Sequence, residues 1–418
     1  LVPAEEQPYE VPENWVWVRL GAIAEIVTGG TPSKKHPEYY GGNFPFYKPS
    51  DLDQGRLTYD ASEYLSEEGK NVSRIIPKNS TAVCCIGSIG KCGYLMCEGT
   101  TNQQINSAIP KINSLCLYYY LCTENFVQDL LSMASATTIA IVNKSKMESC
   151  AFPLPPLSEQ QRIVERIEEL LAKLDEAKER LQEVADSFAV RKAAILHKAF
   201  RGELTKQWRR ENGVRDESWE EKKLSEITEN QDSKRIPLSK SQRDNMNRIY
   251  DYYGASGIID KVDDYIFEGK KLLIGEDGAN LVTRSKDIAF IADGKYWVNN
   301  HAHILDVKDT VLLMYLCNYI NNMDLIPYVT GSAQPKLTQA KMNNIKIFLP
   351  TLPEQHEIVR LIDDLLARER AAQQAAEQAL ASIDLMKKSI LARAFRGELG
   401  TNKASEASAL ELLRQVLS

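Results

Sequence analysis

The sequence predicts a mixed α/β (α+β) chain in which two similar globular domains are joined by two long helices that pair as an antiparallel coiled coil. The first observation is a repeat, because residues 155–204 return as residues 350–399 without a gap, with 21 of the 50 aligned positions identical. The second is the heptad spacing of apolar residues within each copy. The third is a weaker echo of the segment before the first copy in the segment between the copies. Together they predict an internal pseudo-two-fold symmetry.

The repeat divides the chain into five segments. A globular segment precedes each copy, each copy forms a long helix, and a short tail follows the second. The predicted boundaries are residues 1–152 for the first domain, 153–204 for the first helix, 205–348 for the second domain, 349–399 for the second helix and 400–418 for the tail.

The first copy of the repeat predicts one helix of about 40 residues, roughly 60 Å long at about 1.5 Å per residue. Ser158 and Gln161 form the pattern of a capping box at its start. Apolar residues then recur at spacings of four and three from Ile163 to Phe188, which indicates a coiled-coil seam. Gly202 and Gly397 are predicted to end the two helices at equivalent points.

The second copy keeps this register from Ile358 to Ile390, with a seam rich in alanine. Arg191 and Glu369 are the two breaks, and each is aligned with an apolar residue of the other copy. Two such helices in one chain are expected to pair with each other, because the small residues of one seam admit the larger residues of the other. The alternative is that each helix packs on its own domain.

Composition bounds the class of protein. A net charge of −6 and 43% hydrophobic residues are ordinary, and the sequence contains no apolar run of membrane length and no signal peptide. Seven of the eight cysteines precede residue 151, and they lack the spacing of a zinc site. We therefore expect a cytoplasmic protein with free thiols and no bound metal.

Neither domain has an excess of basic side chains. Residues 1–150 carry 12 basic and 16 acidic side chains, and residues 205–348 carry 21 of each. Neither domain is a basic arm. Binding to DNA would therefore depend on local patches in a concave surface, or on partners that add positive charge.

The first domain alternates short strand-like runs with glycine-containing or polar turns, which is typical of an α/β or α+β fold. The sequence predicts a strand-like run at Trp15–Leu20, a short apolar run at Ala82–Ile86, turns at Gly29–Lys35 and Gly87–Lys91, and one helix at Leu115–Leu131. Asn43–Phe46 is interpreted as an aromatic strand edge, Phe44–Asp51 sets aromatic residues beside a lysine and a hydroxyl, and Thr101–Gln104 is a polar run.

The second domain repeats this frame with different polar residues, as a duplicated binding module with a new reading surface would. The predicted equivalences are Trp219 and Leu224 with Trp15 and Leu20, Ile274–Gly278 with Ile86–Gly90, Asn299–His303 with Asn102–Asn106, and Tyr315–Cys317 with Tyr120–Cys122.

At this point the sequence closely resembles the specificity subunit of type I restriction–modification systems. The likeness covers essentially the whole chain and includes the order domain, helix, domain, helix. The motifs that carry it are Pro156–Gln160 and Leu352–Gln355 at the helix starts, Ala-Phe-Arg-Gly-Glu-Leu at both helix ends, and the lead-in stretches Thr137–Lys144 and Gly331–Leu337.

The resemblance implies a function for each segment. Each domain would be a target-recognition domain that reads one half of a bipartite double-stranded DNA site, and the helices would space the domains and dock two methyltransferase (modification) subunits. Restriction (endonuclease and translocase) subunits would join the larger complex. S-adenosylmethionine, ATP and Mg would then bind to the partner subunits, with no cofactor on this chain.

Two sequences come near to catalytic motifs. Asn43–Phe46 lacks the first proline of the Asn/Asp-Pro-Pro-Tyr/Phe tetrad that a DNA methyltransferase needs. Gly87–Lys91 has Cys85 where a phosphate loop needs its first glycine, and Cys92 in place of Ser or Thr. We therefore expect no catalytic site on this chain. A self-contained methyltransferase, or a coiled-coil scaffold joining two protein-binding domains, remain the alternatives.

Candidate DNA contacts lie in the turns, where cations suit phosphates and amides suit base edges. The alternatives are solvated lysines, Asn and Gln that cap turns, and His301 and His303 as a polar surface pair or half of a metal site. The candidates are Thr31, Ser33, Lys34, Lys35, Lys48, Ser50, Ser88, Lys91, Asn102, Gln103 and Gln104 in the first domain, and Lys234, Arg235, Arg284, Lys286, Asn299, Asn300, His301, His303 and Lys336 in the second.

Overall fold

The chain forms two compact units in a computed structural model that describes residues 1–135, 140–331 and 334–417, apart from the side chain of Asp216. Unit 1 contains Leu1–Leu181 and Gln378–Ser418, and unit 2 contains Gln182–Glu377. Both divisions fall inside long helices. Each unit therefore consists of one globular segment together with parts of both copies of the repeat.

The strands are short and fall into sheets of the same kind in both units. Their bounds are β1 Val16–Arg19, β2 Ala24–Thr28, β3 Tyr40–Tyr47, β4 Glu63–Leu65, β5 Thr81–Cys84, β6 Cys92–Tyr94, β7 Thr100–Thr101, β8 Ile105–Pro110, β9 Ala151–Leu154, β10 Glu220–Lys223, β11 Glu229–Asn230, β12 Tyr250–Gly254, β13 Gly257–Val262, β14 Phe267–Glu268, β15 Lys271–Gly275, β16 Ala289–Ala292, β17 Lys295–Val298, β18 Ala302–Asp306 and β19 Lys346–Leu349.

The helices are short in the globular segments and long in the repeat. Their bounds are α1 Leu20–Ile23, α2 Glu67–Asn71, α3 Ser114–Leu121, α4 Glu124–Met133, α5 Lys144–Ser149, α6 Leu157–Asp186, α7 Phe188–Phe200, α8 Lys206–Glu211, α9 Leu224–Ile227, α10 Lys240–Arg243, α11 Asn280–Thr283, α12 Thr310–Asn322, α13 Gln339–Asn343, α14 Leu352–Ala394 and α15 Ala409–Leu417.

The sheets of the two globular segments correspond, except that the second sheet of unit 2 has an additional strand, β14. In unit 1 the orders among the described residues are β2-β8-β5-β6, β4-β3-β7 and β1-β9. In unit 2 they are β11-β18-β15-β16, β13-β12-β17-β14 and β10-β19. In each unit the second of these sheets contains one parallel pair, β3 with β7 and β12 with β17. The predicted mixed α/β class and the internal duplication are confirmed.

Each globular segment packs on the end of one copy of the repeat. In unit 1 the ring of Tyr120 lies 5.1 Å from that of Phe395 and 4.8 Å from that of Phe152, and all three side chains are buried. In unit 2 the ring of Tyr315 lies 5.3 Å from that of Phe200. The aromatic residue at the end of each copy is therefore held by a tyrosine at the equivalent place in the globular segment of its unit.

The two copies of the repeat run antiparallel in both units. In unit 1 Asp175 pairs with Lys387 at 2.6 Å, and Thr401 donates to Glu159 at 2.9 Å. In unit 2 Arg191 pairs with Glu369 at 2.5 Å, and Thr205 donates to Glu354 at 2.7 Å, so the partner's number falls as the residue's number rises. This confirms the predicted antiparallel pairing.

The first copy differs from the predicted single helix, because it is interrupted at Ser187 between α6 and α7. The break in the seam that Arg191 makes lies next to this interruption. Its Nη2 donates to the Val184 carbonyl at 3.1 Å and its Nη1 donates to the Ser187 hydroxyl. Arg191 therefore hydrogen-bonds the irregular turn and the Glu369 carboxylate of the other helix at once.

The observed C-terminal ends of the long helices agree with the predictions more closely than the N-terminal ends do. Gly202 and Gly397 follow the helices with φ of 72° and 74°, a conformation that glycine adopts without strain. The first helix begins at Leu157, so that Ser158 lies in its first turn instead of at the N-cap. The predicted helix at Leu115–Leu131 is two helices, α3 and α4, because the Thr123 hydroxyl accepts a hydrogen bond from the Phe126 N–H and starts a new helix.

Among the helices of the described residues, none combines the length and the apolar character needed to cross a membrane.

Candidate nucleic-acid interface

In unit 1 the candidate residues surround a turn at one edge of a sheet. Strands β3 and β7 are parallel, with Tyr47 paired to Thr101, so that their carboxyl ends lie side by side. The Asn102 N–H continues this pairing by donating to the Tyr47 carbonyl at 3.1 Å. The turn at residues 102–104 therefore lies beside the loop that begins at Lys48.

Unit 2 builds the same edge. Strands β12 and β17 are parallel, with Tyr253 paired to Val298, and the Asn299 N–H donates to the Tyr253 carbonyl at 3.0 Å. The turn at residues 299–301 thus corresponds to the turn at residues 102–104, as the sequence predicts.

The two asparagines build these turns and do not project from them. Asn102 Oδ1 accepts from the Gln104 N–H at 3.1 Å, and Asn299 Oδ1 accepts from the His301 N–H at 2.8 Å. Both residues are buried, with 8% and 4% of their surface exposed. The capping interpretation of these two residues therefore describes their observed role.

A third hydrogen bond completes the equivalence. The Cys85 N–H donates to the Gln104 carbonyl at 2.7 Å, and the Glu276 N–H donates to the His301 carbonyl at 2.8 Å. We call these three shared hydrogen bonds, from the asparagine N–H, to the asparagine side chain and to the third turn carbonyl, the turn frame. Through the turn frame Gln104 corresponds to His301.

The turn frame corrects one predicted equivalence. Ile274 pairs with His303 in the same way as Val83 pairs with Asn106, so Ile274 corresponds to Val83 and not to Ile86. The prediction was wrong by three residues because it aligned glycines that have different places in the two turns. With this correction Asp277 is the counterpart of Ile86.

In unit 1 a glycine brings a second loop against the turn. The Gly30 N–H donates to the Thr101 carbonyl at 2.8 Å, and a Cβ on Gly29 would lie 2.2 Å from the Asn102 carbonyl, so only glycine fits there. The Thr31 hydroxyl then donates to Gln103 Oε1 at 2.5 Å. This loop carries the exposed candidates Ser33, Lys34 and Lys35.

The other two lysines of unit 1 have carboxylate partners. Lys48 pairs with Glu63 and Lys91 with Asp53, each at 2.7 Å. Ser50 follows Lys48 and Ser88 precedes Lys91 in the sequence, and both serines are exposed. The positive charges of Lys48 and Lys91 are thus partly neutralised by carboxylates of the same domain. These two lysines therefore attract a polyanion less than unpaired lysines would.

Unit 2 places a group of ionised side chains behind its turn, which we call the charge cluster. Arg235 pairs with Glu276 at 2.7 Å and donates to the Ala302 carbonyl at the same distance, and Lys336 pairs with Glu276 at 3.1 Å. His303 approaches Asp232 at 2.6 Å. The charge cluster consists of Asp232, Arg235, Glu276, His303 and Lys336.

His303 is a buried member of this cluster, with 1% of its surface exposed. Its Nδ1 faces Asp232 and its Nε2 faces the Leu337 carbonyl at 2.7 Å, so both ring nitrogens lie against hydrogen-bond acceptors. The prediction of a polar surface pair with His301 was therefore wrong. His301 lies in the turn before β18, so the two imidazoles share no strand face.

The cluster holds its carboxylates ionised. Burial raises the pKa of Asp232, but the hydrogen bond from His303 and the histidine charge outweigh burial, so its pKa lies below the ordinary value. Burial acts on Glu276 in the same way, and the hydrogen bond from Arg235 together with the nearby cations lowers its pKa. Both carboxylates are therefore charged at neutral pH.

His301 differs from His303 because its ring is half exposed. Its Nδ1 lies 2.8 Å from Asp277, whose side chain is only 16% exposed. Within the described residues, no three His, Cys, Asp or Glu side chains come together as a metal site would require.

The remaining candidates of unit 2 separate into structural and exposed residues. The Arg284 guanidinium donates to the carbonyls of Ile320 and Asn321 at 3.0 Å each, at the end of α12, and burial lowers its pKa. Lys234, Lys286 and Asn300 are exposed.

Bridges from residues that precede α5 and α13 reach the same edge. Ser135 and Ile86 both bridge to Ile141 in unit 1, as Thr330 and Asp277 bridge to Lys336 in unit 2. Parts of the predicted lead-in stretches, Thr137–Ile139 and Ser332–Ala333, lie outside the described residues.

The sequence missed the acidic partners of the site, namely Asp232, Glu276 and Asp277. Asp232 lies 71 residues from His303, Glu276 lies 41 residues from Arg235, and Asp277 lies 24 residues from His301, separations that no local spacing indicates. The one available signal was the excess of carboxylates in the Gly-Glu-Asp-Gly turn.

The family of the chain follows from sequence comparison. The sequence matches the type I restriction modification DNA specificity domain over residues 12–186 and 216–379. The chain belongs to this family. Each matched stretch contains one globular segment and the first part of the helix that follows it, so the specificity domain occurs twice, as the fold does.

The relatives of this specificity-domain chain are described as type I restriction enzyme specificity subunits. The type I restriction enzyme EcoR124I/EcoR124II specificity subunit of Escherichia coli is 35% identical over 159 residues, 36% of this chain and 39% of that protein. The HindI specificity subunit of Haemophilus influenzae is 32% identical over 192 residues, 42% of this chain and 40% of that protein. These matches span about two fifths of those relatives. The EcoDI specificity subunit of Escherichia coli is 25% identical over 424 residues, 93% of this chain and 90% of that protein.

A solved structure shares the fold. The crystal structure of the HsdS subunit from Thermoanaerobacter tengcongensis aligns with a TM-score of 0.67 at 18% identity, covering 94% of this chain and 99% of that chain. At this identity the likeness establishes the architecture of the specificity-domain chain alone.

Proposed function

We propose that this chain is the sequence-specific DNA-recognition and assembly subunit of a type I restriction–modification complex, without a catalytic site of its own. Each globular domain reads one half of a bipartite DNA site, while the helices set the spacing and dock modification subunits. The observation that carries the proposal is the turn frame. The two domains share it bond by bond, yet they display different side chains from it.

A turn frame that is the same in both domains but carries different side chains suits the recognition of two different half-sites. One domain can distinguish only a few base pairs by hydrogen bonds in a groove. Two domains held at a fixed distance read two short sequences and leave the spacer between them unread. Half-sites one helical turn apart lie about 34–36 Å from centre to centre, a distance within the roughly 60 Å span of such a helix.

The candidate contacts divide by what the fold leaves exposed. We assign phosphate contacts to Lys34 and Lys35 in the first domain and to Lys234 and Lys286 in the second, because these cations are exposed at the candidate edge or in neighbouring loops. Lys48, Lys91 and Lys336 would have to exchange a carboxylate partner for a phosphate. Asn102, Asn299, Arg284 and His303 support the surface from within.

The helices carry matching exposed apolar residues that suit two equivalent partners. Leu157 and Leu352, at equivalent positions in the repeat, are 56% and 47% exposed, and Val190 and Leu385, also equivalent, are 72% and 67% exposed. Duplicated apolar surface on a coiled coil favours two copies of one partner. We therefore assign these residues to the docking of two modification subunits.

The rest of the reaction belongs to the partners. We place S-adenosylmethionine on the modification subunits, and ATP and Mg on restriction subunits that join the same complex. The complex acts on double-stranded DNA, which places this chain in the cytoplasm.

The test is to map methylated adenines across the genome of a host that expresses this chain with its modification subunit. We expect one bipartite motif with a fixed gap. A motif without a gap, or no methylation that depends on this chain, would contradict the proposal. Binding of S-adenosylmethionine by the isolated chain would favour the methyltransferase alternative. Failure to retain DNA at low salt, with and without the modification subunit, would favour the scaffold alternative.

A further inference from the structure

We propose that His301 is the residue with which the second domain distinguishes an amino base from a keto base at one position of its half-site, and that Asp277 determines which ring atom it presents. The proposal rests on the function proposed above and adds to it the chemistry of one contact. Its starting point is that His301 is the exposed histidine of the turn while its anchoring carboxylate is largely buried.

The backbone holds His301 in one place. Its N–H donates to Asn299 Oδ1 at 2.8 Å, and its carbonyl accepts from the Glu276 N–H at 2.8 Å. The neighbouring Asp277 is itself fixed, since its backbone bridges to Lys336. The ring therefore projects from a rigid turn, which base recognition requires because a mobile side chain loses entropy on binding.

The Asp277 carboxylate fixes the tautomer of the ring. An ionised carboxylate only accepts hydrogen bonds, so the His301 Nδ1 that lies 2.8 Å from it carries the hydrogen. A neutral imidazole with hydrogen on Nδ1 has a lone pair on Nε2. In this neutral form, His301 presents one acceptor and no donor at its free edge.

An acceptor of this kind selects among bases. In the major groove adenine and cytosine offer exocyclic amino donors, whereas guanine and thymine offer carbonyl acceptors at the corresponding edge. The Nε2 lone pair attracts the first pair and repels the second. His301 should therefore prefer adenine or cytosine on the contacted strand.

The first domain has different chemistry at the same place. Gln104 is the counterpart of His301, and its Oε1 accepts from Asn102 Nδ2 at 3.0 Å, which leaves its amide N–H groups as the free polar atoms. The counterpart of Asp277 is Ile86, which offers no carboxylate. The same position thus presents an acceptor in one domain and a donor in the other.

The experiment selects binding sites from a randomised duplex library with the full chain assembled with its modification subunit. His301→Lys presents only donors, so we expect the preference at one position of one half-site to change from adenine or cytosine to guanine or thymine. His301→Gln should keep the original preference, because Asp277 takes up the amide N–H and leaves the carbonyl outward. Asp277→Asn permits both tautomers and should reduce the discrimination roughly tenfold.

Controls separate this inference from the function on which it rests. Lys270→Ala, an exposed lysine elsewhere in the second domain, should leave both half-sites unchanged. If wild-type selection gives no bipartite motif, the proposed function fails. If the motif is bipartite but His301→Lys leaves every position unchanged, or weakens all positions equally, His301 does not read a base. If a variant still selects the first half-site as the wild type does, the variant chain has folded.

Discussion

The turns at residues 102–104 and 299–301 are the most informative comparison within the molecule. Both are held by an asparagine whose side chain accepts from the third turn residue, at 3.1 Å in one and 2.8 Å in the other. Cys85 and Ile86 lie behind the first turn, whereas the charge cluster lies behind the second. The difference shows that duplication preserved the hydrogen bonds that shape the backbone and altered the groups that a ligand would meet.

A second comparison concerns the buried glutamates at the helix starts. Glu159 and Glu354 occupy equivalent positions and are fully buried, and each accepts from a threonine hydroxyl. Their cations differ. Arg209, itself buried, lies 2.7 Å from Glu354, whereas the partly exposed Arg162 lies 3.5 Å from Glu159 and is shared with Glu406.

Replacing these cations should have the largest effect and should differ between the units. Arg209→Met leaves the Glu354 charge buried beside a single hydroxyl, so we expect a loss of about 3–5 kcal/mol of unfolding free energy. Arg162→Met should cost about 1 kcal/mol, because Arg162 is partly exposed and is shared with Glu406. Urea unfolding followed by hydrogen exchange in peptides of each unit measures both losses.

Two further variants make this comparison sharper. Glu354→Gln combined with Arg209→Met removes both charges, and it should recover most of the loss if the unpaired carboxylate is its cause. Equal losses from the two arginine variants would show that burial does not distinguish the two sites.

The turn asparagines should give the next largest effect. Asn102→Ala and Asn299→Ala each leave a partly buried turn N–H without its acceptor, which costs about 1–2 kcal/mol. Gln103→Ala and Asn300→Ala, at the neighbouring exposed positions, should change stability by less than about 0.5 kcal/mol. Thermal unfolding of the four variants tests this, and a large loss in either neighbour would place that residue in the frame as well.

The sequence alone was sufficient for the features that local chemistry encodes. The gapless repeat predicted two paired helices, and the glycines at positions 202 and 397 marked their ends because a positive φ is required there. The echo between Asn102 and Asn299 was also found correctly, since an asparagine that caps a turn is recognisable in sequence.

The sequence was insufficient where a residue's role depends on distant contacts. His301 and His303 look alike in sequence, yet one is half exposed and the other is buried against Asp232, 71 residues away along the chain. Arg284 resembled a phosphate ligand, but its guanidinium binds carbonyls at the end of α12. The spacing of residues along a strand cannot show which side chains a distant segment of the chain will bury.

The helix pairs should show a smaller difference between units. Arg191 and Glu369 are 32% and 26% exposed and link the interrupted turn of the first helix to the second, whereas Lys387 and Asp175 are 31% and 58% exposed. We expect Glu369→Ala to cost about 1 kcal/mol and Asp175→Ala less than about 0.5 kcal/mol. Unfolding in low and high salt measures both, and exchanging the two charges in Arg191→Glu with Glu369→Arg should restore part of the loss. No restoration would mean that Arg191 acts only through its bonds within the first helix.

The smallest expected difference is in the response to pH. The pKa values of Asp232 and Glu276 are lowered by the cations of the charge cluster, so their contribution to the stability of unit 2 is present above about pH 4 and is lost as the pH falls through their folded values. Burial raises the pKa of Glu159 in unit 1, so its contribution is present at low pH and is lost as the pH rises through its folded value. Acidification below about pH 4 should therefore weaken unit 2 before unit 1, because protonation of Asp232 and Glu276 removes the anionic partners of His303 and Arg235. Hydrogen exchange at pH 3 to 6 checks this order. Asp232→Asn should reduce the loss of stability at low pH in unit 2 and not in unit 1. An unchanged loss in unit 2 would mean that other groups cause its sensitivity to acid.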